Sequence, residues 1–158
     1  MTSTLRTTHT LDCRIITDPA DRSAHHAIRH AVFVTEQRVF PESDRDARDE
    51  APVTVHVLGL VDGVPAGSVR LFPLDAGRPE ADWQGDRLAV LPDYRTSGLG
   101  APLVRFAVAT AGALGGERMI AHIQPGNLTF FRRLGWTQRG GPHLYVGQPH
   151  LLMDIPLR

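Results

Sequence analysis

Residues 94–103 read YRTSGLGAPL, with Gly98 and Gly100 two positions apart. The segment before them, GDRLAVLP (85–92), has the composition of a strand and ends on Pro92. The segment after them, GLGAPLVRFAVATAGALG, reads as a helix that stops at Gly115 and Gly116, with Pro102 tolerated only in its first turn. A strand, a tight glycine turn and a helix start bring several free backbone amides and the positive helix end to one point, which makes an anion site. Phosphate is the expected guest. Two phosphate-binding patterns fail on spacing. A Walker A loop needs Lys-Ser/Thr after its last glycine, where this chain has Ala101 and Pro102, and the dinucleotide fingerprint would place its third small residue at Leu103.

Working outward, CRIITD (13–18) has the β-branched density of a strand, and Asp18 with Pro19 reads as the cap and first turn of a helix. Ala24, Ile28, Ala31 and Val32 mark one buried face of that helix. His26 and His30 have metal-compatible spacing on it, but no third ligand accompanies them, so exposed helix surface is expected. PESDRDARDE (41–50) reads as a solvated loop or short helix, and VTVHVLGLVDGVPAGSVRLFP as two strands turning at Asp62 and Gly63. Beyond the long helix, RMIAHIQ is a strand, GNLTFFRRLGW a short helix closed by Gly135, and HLLMDIPL a final strand. This pattern predicts a mixed α/β chain with one sheet of six or seven strands.

The chain has 158 residues, 42% of them hydrophobic, which suits one domain over 1–158 with a real core. Its 17 basic residues are all arginine and are balanced by 17 acidic ones, so the net charge leaves no nucleic-acid footprint. Cys13, the only cysteine, excludes an internal disulfide and a multi-cysteine metal site and suits a reducing compartment. MTSTLRTTHT lacks the apolar run of a signal peptide, and no stretch approaches the ~18 apolar residues of a membrane span, so a cytoplasmic protein is expected.

Arg95-x-x-Gly98-x-Gly100, followed by a helix, a strand, Asn127 and FFRRLGW, resembles the cofactor-binding half of the GNAT superfamily of acyl-CoA-dependent N-acyltransferases. VFVTEQ, His56, GSVRLFP, Gln124 and GQPHLLM are similar to the ElaA-like branch. FFRRLGW and GQPHLLM also resemble the GNAT proteins of nitrilase-containing nitrogen-starvation gene clusters. Arg29 and Phe33, followed by acidic residues, are similar to acyl-homoserine-lactone synthases, which share the fold. The resemblance implies a mostly antiparallel central sheet flanked by about four helices, with acetyl-CoA as co-substrate; no metal is expected, because neither the scattered histidines nor the lone cysteine forms a recognisable site. It implies that Leu88, Ala89 and Val90 form the strand edge that hydrogen-bonds pantetheine, with an amide near Val90 facing the thioester oxygen. Arg95, Thr96, Ser97, Gly98, Leu99, Gly100 and Ala101 would wrap the pyrophosphate. Asn127 would meet the pantetheine or the phosphate-ribose portion, and Phe130 and Phe131 would line the thiol end.

The implied reaction is direct attack of an amine on acetyl-CoA. An amine of pKa ~10.4 must lose a proton at neutral pH, at a cost of about 4–5 kcal/mol, whereas the departing thiolate of pKa ~8.5 needs at most about 2 kcal/mol of help. Many GNAT enzymes carry a tyrosine acid where this chain has Phe131, so the departure removes the smaller contribution. Glu36 and His150 are the first candidates for the base, with Asp86 and His122 behind them. The acidic set Asp44, Asp46, Asp49 and Glu50 could draw a cationic amine to the cleft mouth. A small-molecule amine is the expected partner, with neither nucleic acid nor membrane, and a homodimer is left open. Alternatives are a non-catalytic acyl-CoA sensor and an acyl-homoserine-lactone-synthase-like enzyme with a longer acyl donor.

Overall fold

A computed structural model describes residues 8–157. The elements run β1 (Leu11–Ile15), α1 (Pro19–Arg29), a π-helical continuation (His30–Glu36), a 3-10 turn (Ala47–Glu50), β2 (Val55–Val61), β3 (Val64–Pro73) and β4 (Asp82–Val90). A 3-10 turn (Pro92–Ser97), α2 (Gly100–Ala113), β5 (Arg118–Ile123), another turn (Pro125–Asn127), α3 (Leu128–Arg133), β6 (Thr137–Tyr145) and β7 (Gln148–Pro156) complete the chain. The seven strands form one sheet in the order β1-β2-β3-β4-β5-β7-β6, antiparallel throughout except for β4 beside β5.

Local chemistry fixes the element ends. The Asp18 carboxylate accepts from the Asp21 amide at 2.8 Å and caps α1, with Pro19 in the first turn. Asp62 (φ 51°) and Gly63 (φ 80°) form the two-residue turn between β2 and β3. The first strand occupies 11–15 instead of 13–18, and the strand before the glycine turn begins at Asp82.

Alternation divides the sheet into two faces. Val57, Val69, Met119, Ala121, Ile123 and Met153 pack against α2 and α3, whose Leu103, Val104, Ala107 and Phe131 complete the larger core. Leu58 and Leu60 point the other way and meet Ile28 and Val32 under α1 and its continuation. Gly59 and Gly67 are cross-strand partners. A Cβ on either would come within 3.0 Å of the Leu99 and Leu103 side chains, so the bare backbone there seats the start of α2 against the sheet.

On the α1 face, His56, Arg70 and Asp86 stand in one cross-strand row. A bulge interrupts β3–β4 pairing between Ser68 and Arg70, and Arg87 opposite it has φ 53°. Ser68 Oγ donates to the Arg87 carbonyl at 2.8 Å and holds the bulge. The extra residue turns Arg87 to the same face as Asp86, out of step with simple alternation.

Candidate active site

Parallel pairing between β4 and β5 ends at Gln84 and Ile120. From Gly85 onward the two strands part, and one backbone edge of β4 is left without a strand partner. A cavity of about 130 Å³ occupies the opening, walled by Asp86–Leu88 on β4, by Ala121–Ile123 on β5 and by Phe131 and His150.

The cleft runs toward the glycine turn. Gly98 has φ 86°, a left-handed conformation natural to glycine, and α2 begins at Gly100 with no side chain capping its first amides. Ser97 Oγ donates to the Tyr94 carbonyl at 2.5 Å and accepts from the Leu99 amide at 3.3 Å, which shapes the turn internally. The Arg95 guanidinium turns back to the Val90 carbonyl (3.0 Å) and to Glu36 (2.5 and 2.6 Å). Thr96 is exposed, while the Leu99 side chain is fully buried in the core, so only its backbone faces the turn. Leu88 and Asn127 line the cavity. Phe130 lies beside Gly100, within 3.4 Å of where a Cβ would stand.

The proposed bases separate by position. His150 is buried and lines the cavity, and its Nδ1 lies 2.9 Å from the Gln148 carbonyl, a bond that only Nδ1–H can make. Its Nε2 is thereby left as an acceptor in the neutral ring. His122 also lines the cavity; its Nδ1 sits 2.7 Å from His143 Nε2 and its ring stacks on Tyr145 at 4.2 Å. Burial first, then the neighbouring His143 and His150, lower its proton affinity. Asp86 faces the cavity too, but both its oxygens accept from Arg70, at 2.8 and 2.7 Å. Glu36 is outside the cavity lining, and the hydrogen bonds from Arg95 hold its carboxyl below its ordinary value.

Residues 21–136 match the Acetyltransferase (GNAT) family. The chain belongs to that family. Among curated proteins no match reaches significance. Solved GNAT-fold neighbours include Escherichia coli ElaA, at 20% identity and TM-score 0.79 over 92% of this chain and 99% of that one. An acyl-CoA N-acyltransferase from Pseudomonas aeruginosa is similar at 24% identity and TM-score 0.76, covering 93% of this chain and 99% of its own. Salmonella typhimurium yncA, solved with acetyl-CoA, is similar at 21% identity and TM-score 0.70, covering 94% and 95%. The seven-stranded sheet flanked by α1 with its continuation, α2 and α3 is the GNAT architecture expected from the sequence.

Two expectations on the α1 side of this GNAT chain are corrected. The charged run 41–50 forms the expected short helical turn and is mostly exposed, but it is not merely solvated, because Asp44 and Asp49 are 2% and 4% exposed. Asp49 accepts two bonds from Arg29, at 2.7 and 3.0 Å, and Asp44 takes Arg29 Nε at 2.7 Å and Arg87 Nε at 3.1 Å. Asp46 receives Arg70 at 2.6 and 3.2 Å. These three carboxylates are neutralised by arginines, which leaves exposed Glu50 as the member of the acidic set without an arginine partner among the described residues. Burial opposes the charge on Asp49, yet the bonds from Arg29 and from the Asp46 amide hold it far below the usual carboxylate range. His26, expected on exposed surface, is 7% exposed, with His25 and Arg29 wholly buried beside it. His25 Nδ1 donates to the Val57 carbonyl at 2.9 Å, and its Nε2 lies 3.2 Å from both Arg29 and His56 Nδ1.

Sequence reasoning missed His143 and Tyr145. Both stand on the β6–β7 hairpin on one face with His150, and Gln84 Nε2 donates to the Tyr145 hydroxyl at 3.2 Å across the base of the cleft. The alternation His143-x-Tyr145 opposite His150 was the available signal, hidden by Gly140-Gly141-Pro142 just before it. Among the described residues no group of three or more His, Cys, Asp or Glu side chains is arranged to hold a metal ion, and no helix is long and apolar enough to cross a membrane. Burial, then Asp12, pushes the Cys13 thiol up to about 11, so it is no nucleophile at neutral pH.

Proposed function

We propose that the protein transfers the acetyl group of acetyl-CoA to a primary amine of a small molecule, by direct attack in a ternary complex. The observation that carries the proposal is the open edge of β4, Gly85–Val90, leading from a cavity to a left-handed Gly98 and an uncapped helix start. Leu88–Val90 would present their backbone to pantetheine, with the amide near Val90 toward the thioester oxygen. Arg95–Ala101 would hold the pyrophosphate through amides and the helix end.

In the reaction the amine nitrogen bonds to the thioester carbon, the C–S bond breaks, and the ammonium proton must leave. His150 is the proposed acceptor of that proton, because it faces the cavity with its tautomer fixed by the Gln148 carbonyl. Glu36, bound to Arg95 outside the cavity lining, is set aside as base and reassigned to holding the turn. Phe131 lines the cavity without a hydroxyl, so another acid, water or unaided departure has to serve the thiolate. A cytoplasmic setting fits the lone reduced cysteine. The test is acetyl-CoA-dependent thiol release over a panel of amines, with His150→Gln as control; an absence of turnover with every amine would favour the sensor alternative.

A further inference from the structure

A second cavity, polar and of about 200 Å³, adjoins the transfer cavity, and Asp86 and Tyr145 line both. Its other walls include Asp46, Arg48, Arg70 and Phe72. The carboxylates there are already engaged: Arg70 spans Asp46 and Asp86 at 2.6 to 3.2 Å, and Arg70 itself is 1% exposed. Arg48 differs. Its guanidinium lies over the Phe72 ring at 4.2 Å, its one hydrogen bond is a 3.5 Å contact to the Pro73 carbonyl, and no carboxylate among the described residues lies within ion-pair distance. The Tyr145 hydroxyl, accepting from Gln84, keeps its own proton free to donate.

We propose that this second cavity binds the carboxylate of the acceptor, and that the acceptors are amino acids. The inference rests on the transfer function proposed above. Arg48 would take the carboxylate through its planar fork, with Tyr145 as a second donor, while the amine lies on the Asp86 side where the two cavities meet. Charge agrees with this. Asp44, Asp46, Asp49 and Asp86 are held by Arg29, Arg70 and Arg87, so Arg48 is the guanidinium of this cluster left without a carboxylate, and a zwitterionic acceptor supplies one where a simple amine does not.

The experiment compares matched pairs, each an amino acid and its carboxamide, by thiol release from acetyl-CoA in wild type, Arg48→Gln and Arg48→Lys, with phosphoethanolamine as a phosphate-bearing amine. Wild type is expected to favour the carboxylate in kcat/KM by about tenfold or more. Arg48→Gln should erase the difference within each pair through the KM of the carboxylate, and Arg48→Lys should restore part of it. Equal kcat/KM within pairs, a loss in Arg48→Gln that falls equally on both members, or a preference for phosphoethanolamine would overturn the proposal. If no amine turns over, the transfer function fails on its own, and calorimetry of the same pairs decides this inference. Heat from the carboxylates alone, lost in Arg48→Gln, supports it; heat from neither or both members equally refutes it.

Discussion

Glu36, the last residue of the π-helical segment, and Arg95, in the turn after β4, form a two-bond ion pair at 2.5 and 2.6 Å. The pair ties the segment that follows α1 to the turn that precedes α2. Because Arg95 occupies both Glu36 oxygens and lowers their affinity for a proton, Glu36 is a poor proton acceptor, and removing its charge should cost little of the proton transfer. Glu36→Gln is expected to lower turnover by less than about tenfold and to act mainly on acetyl-CoA affinity, whereas His150→Gln should lower turnover by about 100-fold or more with acetyl-CoA binding intact. The His150→Gln deficit should shrink as pH rises, since the amine then arrives neutral. Turnover against pH for both variants decides between them, and the opposite ranking would return the base to Glu36.

Phe131 packs edge-on against Phe130 and Trp136, each at 5.3 Å, and also lines the cavity. Phe131→Tyr would bring a hydroxyl to that wall. Turnover is expected to change by less than about tenfold, since protonating a thiolate of pKa ~8.5 contributes little at neutral pH. A larger gain would make thiolate departure the slow step.

Acetyl-CoA should raise the melting temperature by several degrees when present at about 100 times its Kd, because a ligand held by the folded state alone shifts unfolding by mass action. Gly98→Asp puts a carboxylate at the turn, and aspartate tolerates left-handed backbone better than most residues. The variant should fold and lose the shift. An unchanged shift would limit Gly98 to shaping the turn.

Acid should unfold the protein through its buried imidazoles. Burial, then the charge of Arg29, pushes His25 down to about 3 and His26 down to about 4; burial also lowers His56. A proton on His25 Nε2 would point at the Arg29 guanidinium. The unfolded chain binds these protons near pH 6.5 and the folded chain does not, so the stability they contribute is present above pH ~6.5 and is lost as pH falls toward 3–4. His25→Asn, which can keep the bond to Val57, should flatten the fall by about one proton's worth in melts recorded from pH 7 to 4. An unchanged slope would show that the acid sensitivity lies elsewhere.

Val146 (φ 48°) and Gly147 (φ 75°) turn the β6–β7 hairpin. A β-branched residue is strained in that conformation by about 1 kcal/mol or more, so Val146→Asn should raise the melting temperature by about 2–4 °C. A lowered melting point would mean that Val146 contributes more by packing than it loses by strain.

Most of the architecture was legible because it rests on short-range rules. Alternating β2 and β3, the Asp62-Gly63 turn, the Asp18 cap and the Gly115-Gly116 stop each announce themselves within a few residues. The polar cluster was not legible, because Asp44 and Asp49 are buried by Arg29, Arg70 and Arg87 from three remote elements, and a charged run alone gives no sign of such partners. Arg87 escaped for a second reason, since the bulge breaks the alternation that would have assigned its face. His150 was found by resemblance, while Tyr145 lay in a strand disguised by Gly140, Gly141 and Pro142.

The open edge of β4 bears on how the protein avoids sticking to copies of itself. An unpaired strand edge is ordinarily a template for aggregation, and folds blunt it with prolines, bulges or charges. At the perimeter, β6 does this with the irregular Gly140-Gly141-Pro142 step, which breaks its pairing between Arg139 and His143. The edge of Gly85–Val90 has no strand partner beyond the Arg95 bond to the Val90 carbonyl, yet it lies inside the sheet, with β5 on its far side. A second sheet has no room to add a strand there, while a slender chain can. The fold thus keeps its unused hydrogen-bonding groups where they admit a ligand and refuse a neighbour.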